Sequence, residues 1–469
     1  MIAAIWTLVV APLLVGRLFG AARAEGVRGR PEEGLPWPAQ LQLGLLAMGA
    51  LLFFCHALRM PESLAFALPS AVALGSAAWW VVAQRQTTTT PHGSVLGGLA
   101  PLACLVVLLL PVVVAAVAYT FVVPVHSWDA LMVWFMKVRG LERWPSLADM
   151  PWPTYPELGP LLWRSVVRSD VPIDEAFGRL VTSCAFVAGG ASLAYGVGDD
   201  DRAASIESHR LRAPVAVAAA LCVVALFDRH LVTSGYQDPI VLGVGATVSV
   251  LLLRTRFRVR PDGGAPRPVW AAAFGCGALV LVKNEGVVLG GILWVAYVVV
   301  VLARLDATLR PVRLRALLVP SGIAAAIVVA ATAARGAAGV DVTDVQHGDF
   351  GGVGFETLLH RVERVPVVLQ AIVTRLLAQP VVVATPLVVG LALVRVRRAV
   401  AVPLAFCALV AGLHLSALVA VFVATNAPLD WHLQTALDRL LFQGAFSFCL
   451  AVCVATHALA RGASPSKDQ

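Results

Sequence analysis

The chain is 469 residues long, 59% apolar and only 14% charged, with a net charge of +8 and a mean hydropathy of +0.81. A soluble protein carries roughly a quarter of its residues as charges, so this composition excludes a cytosolic enzyme, a disordered chain and a secreted disulfide scaffold. The excess positive charge is not a nucleic-acid patch: apart from Lys137, Lys283 and Lys467 the basic residues are arginines in short clusters between apolar runs, the pattern of membrane topology signals.

A helix needs about 20 apolar residues to cross about 30 Å of hydrocarbon. On that criterion the chain is an all-α polytopic membrane protein with about thirteen transmembrane helices. They are expected near residues 1–16, 41–58, 63–84, 98–124, 174–197, 212–227, 237–253, 268–282, 286–303, 316–334, 380–394, 399–424 and 440–460. The first run has no positive charge ahead of it and no convincing cleavage site, so it reads as a span rather than a signal peptide. The eight cysteines all fall inside apolar segments without metal-ligand spacing, and read as small buried hydrophobes.

Short cytoplasmic loops retain an excess of arginine, which assigns Arg17 to Arg30, Arg202 to Arg212, Arg254 to Arg267, Arg304 to Arg315 and Arg395 to Arg398 to the inner face. Each stretch between two clusters must then cross an even number of times. Residues 268–303 would make a single helix of about 54 Å, far longer than one bilayer core requires. They are therefore expected to form a hairpin whose tip, Lys283-Asn284-Glu285-Gly286, faces outward. The same rule places residues 124–173, 228–238, 335–379 and 425–439 on the outer face.

In the first outer segment, Leu131, Trp134, Phe135, Val138 and Leu141 recur at helical spacing with Lys137, Arg139, Glu142 and Arg143 interleaved. That pattern is an amphipathic helix lying in the interface. Asp129 at its start reads equally as an N-cap or as a general base at the membrane surface. The following run, Pro151 to Leu158, is too rich in proline for a helix. Its aromatics, Tyr155 among them, suit a headgroup-level anchor, with the wall of a lipid or sugar site as the alternative.

Asp238, after Ser234-Gly235-Tyr236-Gln237, sits where a helix begins and reads as an N-cap. Lys283 and Glu285 occupy a tight turn between apolar runs, where charges are costly and mark a function or a mutual pair. Residues 335–379 hold Asp341, Asp344, His347, Asp349, Glu356, His360, Arg361, Glu363, Arg364 and Arg375, with a glycine-rich stretch from Gly348 to Gly354. They read as a solvated loop, with a lid as the alternative and no recognisable metal spacing. In the last segment Asp430-Trp431-His432 leads to Asp438-Arg439, and Arg439 suits a phosphate or snorkels to headgroups. The spans are otherwise nearly free of charge, and His414 inside one of them reads as a satisfied core residue.

A glycosyl transfer from a lipid phosphate needs a carboxylate to take the acceptor's proton and cations to neutralise the departing phosphate. Asp129, Asp238, Lys283, Glu285 and Arg439, all assigned to one face, supply both. The set His126-Ser127-Trp128-Asp129-Ala130 with Lys137 following, Tyr155-Pro156, Gly235-Tyr236-Gln237-Asp238, Lys283-Asn284-Glu285-Gly286 and Trp431-His432-Leu433 to Asp438-Arg439 resembles bacterial glycosyltransferases of the GT-C superfamily. The likeness is to the protein mannosyltransferase and lipid A aminoarabinose transferase type, over roughly residues 120–445.

The resemblance implies a GT-C-like fold in the bacterial plasma (inner) membrane, with an extracytoplasmic active site and inverting transfer from a polyprenyl-phosphate-linked sugar. Asp129 would be the base. By position, Lys283 and Arg439 would hold the phosphate and Asp238 and Glu285 would orient them or the sugar, with His126, Tyr155 and His432 as further substrate contacts. Residues 1–97 become extra N-terminal helices, residues 98–334 a catalytic module containing the outer loop 124–173, and residues 335–469 an outer loop or lid with the C-terminal helices. Expected partners are the donor, membrane lipid and an acceptor glycan, lipid or protein, without nucleic acid. No cofactor is called for, and a divalent metal stays open. The chain departs from the family's pattern in its three additional leading spans, a single Asp without an adjacent acid, and the lack of a soluble acceptor-binding domain. Two other readings share these residues: a transporter or flippase of lipid-linked sugars, and a ligase or polymerase of lipid-linked glycans.

Overall fold

The computed structural model describes residues 6–20, 35–85, 95–124, 129–141, 146–150, 152–166, 172–197, 206–255, 257, 265–304, 310–340 and 355–462. Among these the regular secondary structure is entirely helical. The order begins α1 (Ala11–Gly20), α2 (Trp37–Ala57), α3 (Glu62–Arg85), α4 (Val95–Val122), α5 (Met136–Gly140, continuing a π-helical turn Ala130–Phe135) and α6 (Leu158–Arg164). It continues with α7 (Pro172–Val197), α8 (Ile206–Leu226), α9 (Arg229–Thr233), α10 (Asp238–Arg254), α11 (Arg267–Ala278) and α12 (Asn284–Ala303). The last are α13 (Arg310–Ala337), α14 (Phe355–His360), α15 (Arg364–Leu377), α16 (Pro380–Ala424), α17 (Leu429–Gly444) and α18 (Phe446–Gly462).

Seven helical stretches are long and apolar enough to cross a membrane: Trp37–Ala57, Glu175–Val197, Asn284–Ala303, Leu314–Ala337, Pro380–Arg397, Val400–Ala424 and Leu429–Gly462. Shorter apolar helices at Trp6–Leu18, Ser63–Ala78, Leu109–Val122, Arg212–Leu226 and Arg267–Leu281, together with α10, fall on the remaining expected spans. The chain is an all-α membrane protein.

Two helix breaks match the charge pattern. Lys283 is extended (φ −159°, ψ 152°), so residues 268–303 divide there into α11 and α12. The two helices fold back closely: a Cβ on Gly286 would lie 2.2 Å from the Leu279 carbonyl oxygen, and one on Gly290 would lie 2.4 Å from that of Cys276. Only glycine allows backbones so near. In α16, Val396 leaves helical geometry (φ −138°, ψ 34°) within the Arg395 to Arg398 cluster, dividing it into two arms.

At the centre stands α10, buried from Asp238 to Leu252. It crosses α7 at a glycine pair, where a Cβ on Gly189 would come within 2.5 Å of the Gly243 Cα. Its N-terminal end therefore carries Asp238 on a rigid, fully enclosed post.

Two expectations are corrected by the packing. The spans are not nearly free of charge: Arg179 in α7 is 3% exposed. Its guanidinium donates to the Thr233 carbonyl at 3.1 Å, to the Val123 carbonyl at 2.8 Å and to that of Thr120, and pairs with Glu175 at 3.2 Å. Carbonyls at helix C-termini have no intrahelical donor, and a buried cation satisfies them. The second correction concerns residues 335–379. The acids and His347 of residues 341–354 lie outside the described residues, but residues 355–377 are helical and docked, not a solvated loop. Val368 and Ile372 of α15 are buried with Leu418, Phe422, Leu437 and Leu440. Arg361 donates to the Ala424 and Thr425 carbonyls at 2.6 and 3.0 Å, and Arg364 to the latter at 2.9 Å. His414 is the satisfied core residue expected, its Nε2 3.0 Å from the Leu440 carbonyl.

Candidate active site

Asp129 immediately precedes the π-helical turn Ala130–Phe135 and makes no side-chain cap bond. Its carboxylate instead accepts a hydrogen bond from Arg439 of α17 and forms an ion pair with it. The Arg439 guanidinium lies over the Tyr236 ring at 5.2 Å, a cation–π arrangement that orients its plane. Both partners are part-exposed, 21% for Arg439 and 31% for Asp129, so a ligand from the water boundary can reach them.

The N-cap expectation for Asp238 is also corrected. The cap position is Gln237, without a side-chain cap bond. As the first residue of α10, Asp238 points its carboxylate across the bundle, accepting from Lys283 Nζ at 2.9 Å and Gln443 Nε2 at 2.6 Å. Lys283 also pairs with Glu285 at 3.4 Å, so the mutual pair expected at the tip exists but is the longer of two. Burial pushes the Lys283 ammonium down, but Asp238 and then Glu285 outweigh it and hold the group above the ordinary lysine range. Arg439 is within electrostatic reach of Asp238 and Lys283, which joins the two pairs into one chain: Asp129, Arg439, Asp238, Lys283, Glu285.

A second charged group braces the first outer segment. Lys137, expected on the watery face of its helix, is fully buried, 2.9 Å from Glu157, itself 1% exposed. Its helix buries Ala130, Val133, Trp134 and Val138; Lys137 falls on that same stripe. Burial lowers the Lys137 ammonium, Glu157 opposes this, and Arg335 adds to the lowering. Arg335 of α13 approaches the other Glu157 oxygen at 3.7 Å. Three consecutive carbonyls of the proline-rich run are each held by a different element: Pro153 by Arg335 at 2.8 Å, Thr154 by Asn284 at 3.3 Å, and Tyr155 by Lys137. The Tyr155 ring sits edge-on to Trp134, 5.7 Å between centroids. This run is therefore a pinned wall beside the Asp129 helix, with Trp152 45% exposed.

The structure thus brings together Asp129, Asp238, Lys283, Glu285 and Arg439, with Tyr155 packed alongside. His432 lies seven residues before Arg439 on α17 and packs against Phe422, 4.9 Å between rings. His126 lies outside the described residues. Sequence reasoning missed Gln443, Glu157 and Arg335 as members of these networks. Gln443 carried a signal, its four-residue spacing from Arg439 on one helix face. Among the described residues no group of three or more His, Cys, Asp or Glu is placed to hold a metal ion. Chemically, the cluster sets three carboxylates against two cations: it can donate charge-assisted hydrogen bonds to an anion and accept a proton beside it. Compared with known proteins, the chain finds no matching family model, no matching curated protein and no matching solved structure.

Proposed function

We propose that the chain is a GT-C-like glycosyltransferase of the bacterial plasma membrane, with about thirteen spans, that moves a sugar from a polyprenyl-phosphate donor to an acceptor hydroxyl at the extracytoplasmic face. The observation that supports this reading best is the direct pairing of Asp129 with Arg439, 310 positions apart in the chain, beside the Asp238–Lys283 pair. Two carboxylates and two cations reach one patch from four separate segments.

In the resting site Arg439 is neutralised by Asp129. A donor phosphate competes for the same guanidinium, whose planar fork suits phosphate as well as carboxylate, and displaces Asp129. Once separated from its cation the carboxylate becomes more basic, and it does so only when donor is present. The acceptor oxygen then attacks the anomeric carbon opposite the phosphate. Its proton passes to Asp129, the bond from the anomeric carbon to the phosphate oxygen breaks, and the departing charge rests on Arg439 and Lys283; configuration inverts. Asp238, itself held by Gln443, keeps the Lys283 ammonium in place. Charge is conserved across the step: protonation of Asp129 removes one negative charge and the departing phosphate gains one, which the two cations offset.

The test is incubation of purified protein with a radiolabelled polyprenyl-phosphate sugar, comparing wild type with Asp129→Asn. Release of polyprenyl phosphate by wild type, reduced about a hundredfold or more in the variant, is expected. Equal turnover in both removes Asp129 from the base role, and movement of label across vesicles without bond cleavage replaces the transferase with a flippase.

A further inference from the structure

The two arms of α16 diverge from Val396, and with α18 they enclose a cavity of about 760 Å³. Its walls are Thr385, Val389 and Leu393 on one arm, Leu404 and Ala408 on the other, and Phe448 on α18. Alanines 401, 405, 408, 411 and 451 leave the space unfilled. It opens where Leu393 and Val394 are 39% and 84% exposed. The two hydroxyls on its walls are already used, Thr385 donating to the Val381 carbonyl at 2.7 Å and Ser447 to that of Gly444 at 2.8 Å. The groove therefore offers hydrocarbon contact along its length and one cation at its end, Arg397.

The cationic end lies far from the ion-pair site. Gln443 touches Asp238, whereas Gly462 lies against Val396; their separation of 19 positions spans about 28 Å of helix, close to one bilayer core. From Thr385 to Arg397 the groove runs about 18 Å, slightly more than one leaflet's hydrocarbon depth of about 15 Å. A partner helix of that length, about 10 to 12 Å across, occupies roughly 1,400 to 2,000 Å³, about twice the space or more. A lipid chain fits; a helix does not. Arg397 lines the groove, and Arg395 lies two residues before it; both are exposed, and among the described residues neither is engaged in an ion pair. Unpaired arginines beside an apolar slot at a leaflet surface match an anionic headgroup above an acyl chain.

We propose that this groove is a binding site for an anionic glycerophospholipid of the leaflet opposite the Asp129–Arg439 site, with an acyl chain between the arms of α16 and the phosphate at Arg395 and Arg397. The site is independent of the transferase reading, and its readout does not involve turnover.

The full-length protein in phosphatidylcholine nanodiscs is doped with phosphatidylglycerol or phosphatidylcholine bearing a diazirine on the acyl chain, irradiated, and mapped by mass spectrometry. The phosphatidylglycerol probe is expected to label the peptides of Val389, Leu404 and Ala408 more strongly than the phosphatidylcholine probe. Arg395→Gln and Arg397→Gln should each reduce that labelling roughly fivefold, Arg397→Lys should restore it, and Ala408→Trp should block the groove to both probes. Both arginines are exposed, so these variants leave the packing intact. Equal labelling by the two probes, unchanged by the arginine variants, overturns the proposal in favour of non-selective annular lipid. So does an unlabelled groove, a crosslink to a second copy there, or displacement of the probe by polyprenyl phosphate more readily than by phosphatidylglycerol.

Discussion

Lys137 and Lys283 are both enclosed, yet their surroundings act on them in opposite directions. Lys283, held above its ordinary range by Asp238 and Glu285, contributes stability that is complete below the unfolded lysine value near 10.4 and lost as pH rises through its folded value. Lys137 is held below its ordinary range by burial, so its cost is complete below its folded value and relieved as pH climbs from there toward about 10.4. Melting curves in detergent between pH 7 and 11 should therefore separate them: Lys283→Met flattens the alkaline loss of stability, and Lys137→Met steepens it. Identical profiles for the two variants would contradict the assignment. Glu157→Gln leaves Lys137 enclosed without its carboxylate and should cost about 3 to 5 kcal/mol in an unfolding titration; a change below about 1 kcal/mol would show the pair to be solvated. The acids and cations of the outer cluster were legible in the sequence because charge between long apolar runs is rare. Lys137 was not, because a lysine in a helical pattern reads as solvent-facing until Glu157 and Arg335, 20 and 198 positions further on, are seen to enclose it.

The hairpin of α11 and α12 shows how an element places a residue. Apolar length required a reversal somewhere in residues 268–303, and the polar tetrad fixed where, so the turn at Lys283 was readable from composition and length alone. The depth of contact was not, since it depends on Gly286 and Gly290 meeting the backbone of the preceding helix. Gly290→Leu should push α12 from α11, at a cost of about 1 to 3 kcal/mol in thermal unfolding, and shift Lys283 from Asp238. Gly291→Leu, one position on, where a Cβ has open space, serves as control. Equal effects of both would mean that the close approach does not position the tip. The docking of α15 was invisible for a different reason: Arg361 and Arg364 read as loop charges, whereas their partners are backbone carbonyls at the end of α16, which no residue pattern announces.

For the whole molecule, the long-range ion pairs among the described residues tie distant elements together at one end of the bundle. Arg439 to Asp129, Lys283 to Asp238 and Arg335 to Glu157 each join distant parts of the chain, while the Val396 break and its arginines mark the other end. In a cysteine-free background, single cysteines at Trp152, Glu285 and Asp430 and, for the opposite end, at Arg397, can be challenged in intact cells with a membrane-impermeant maleimide. Labelling of the first three from outside, with Arg397→Cys reacting only after permeabilisation, is the predicted result. Reaction of Trp152→Cys and Glu285→Cys from opposite sides would contradict it.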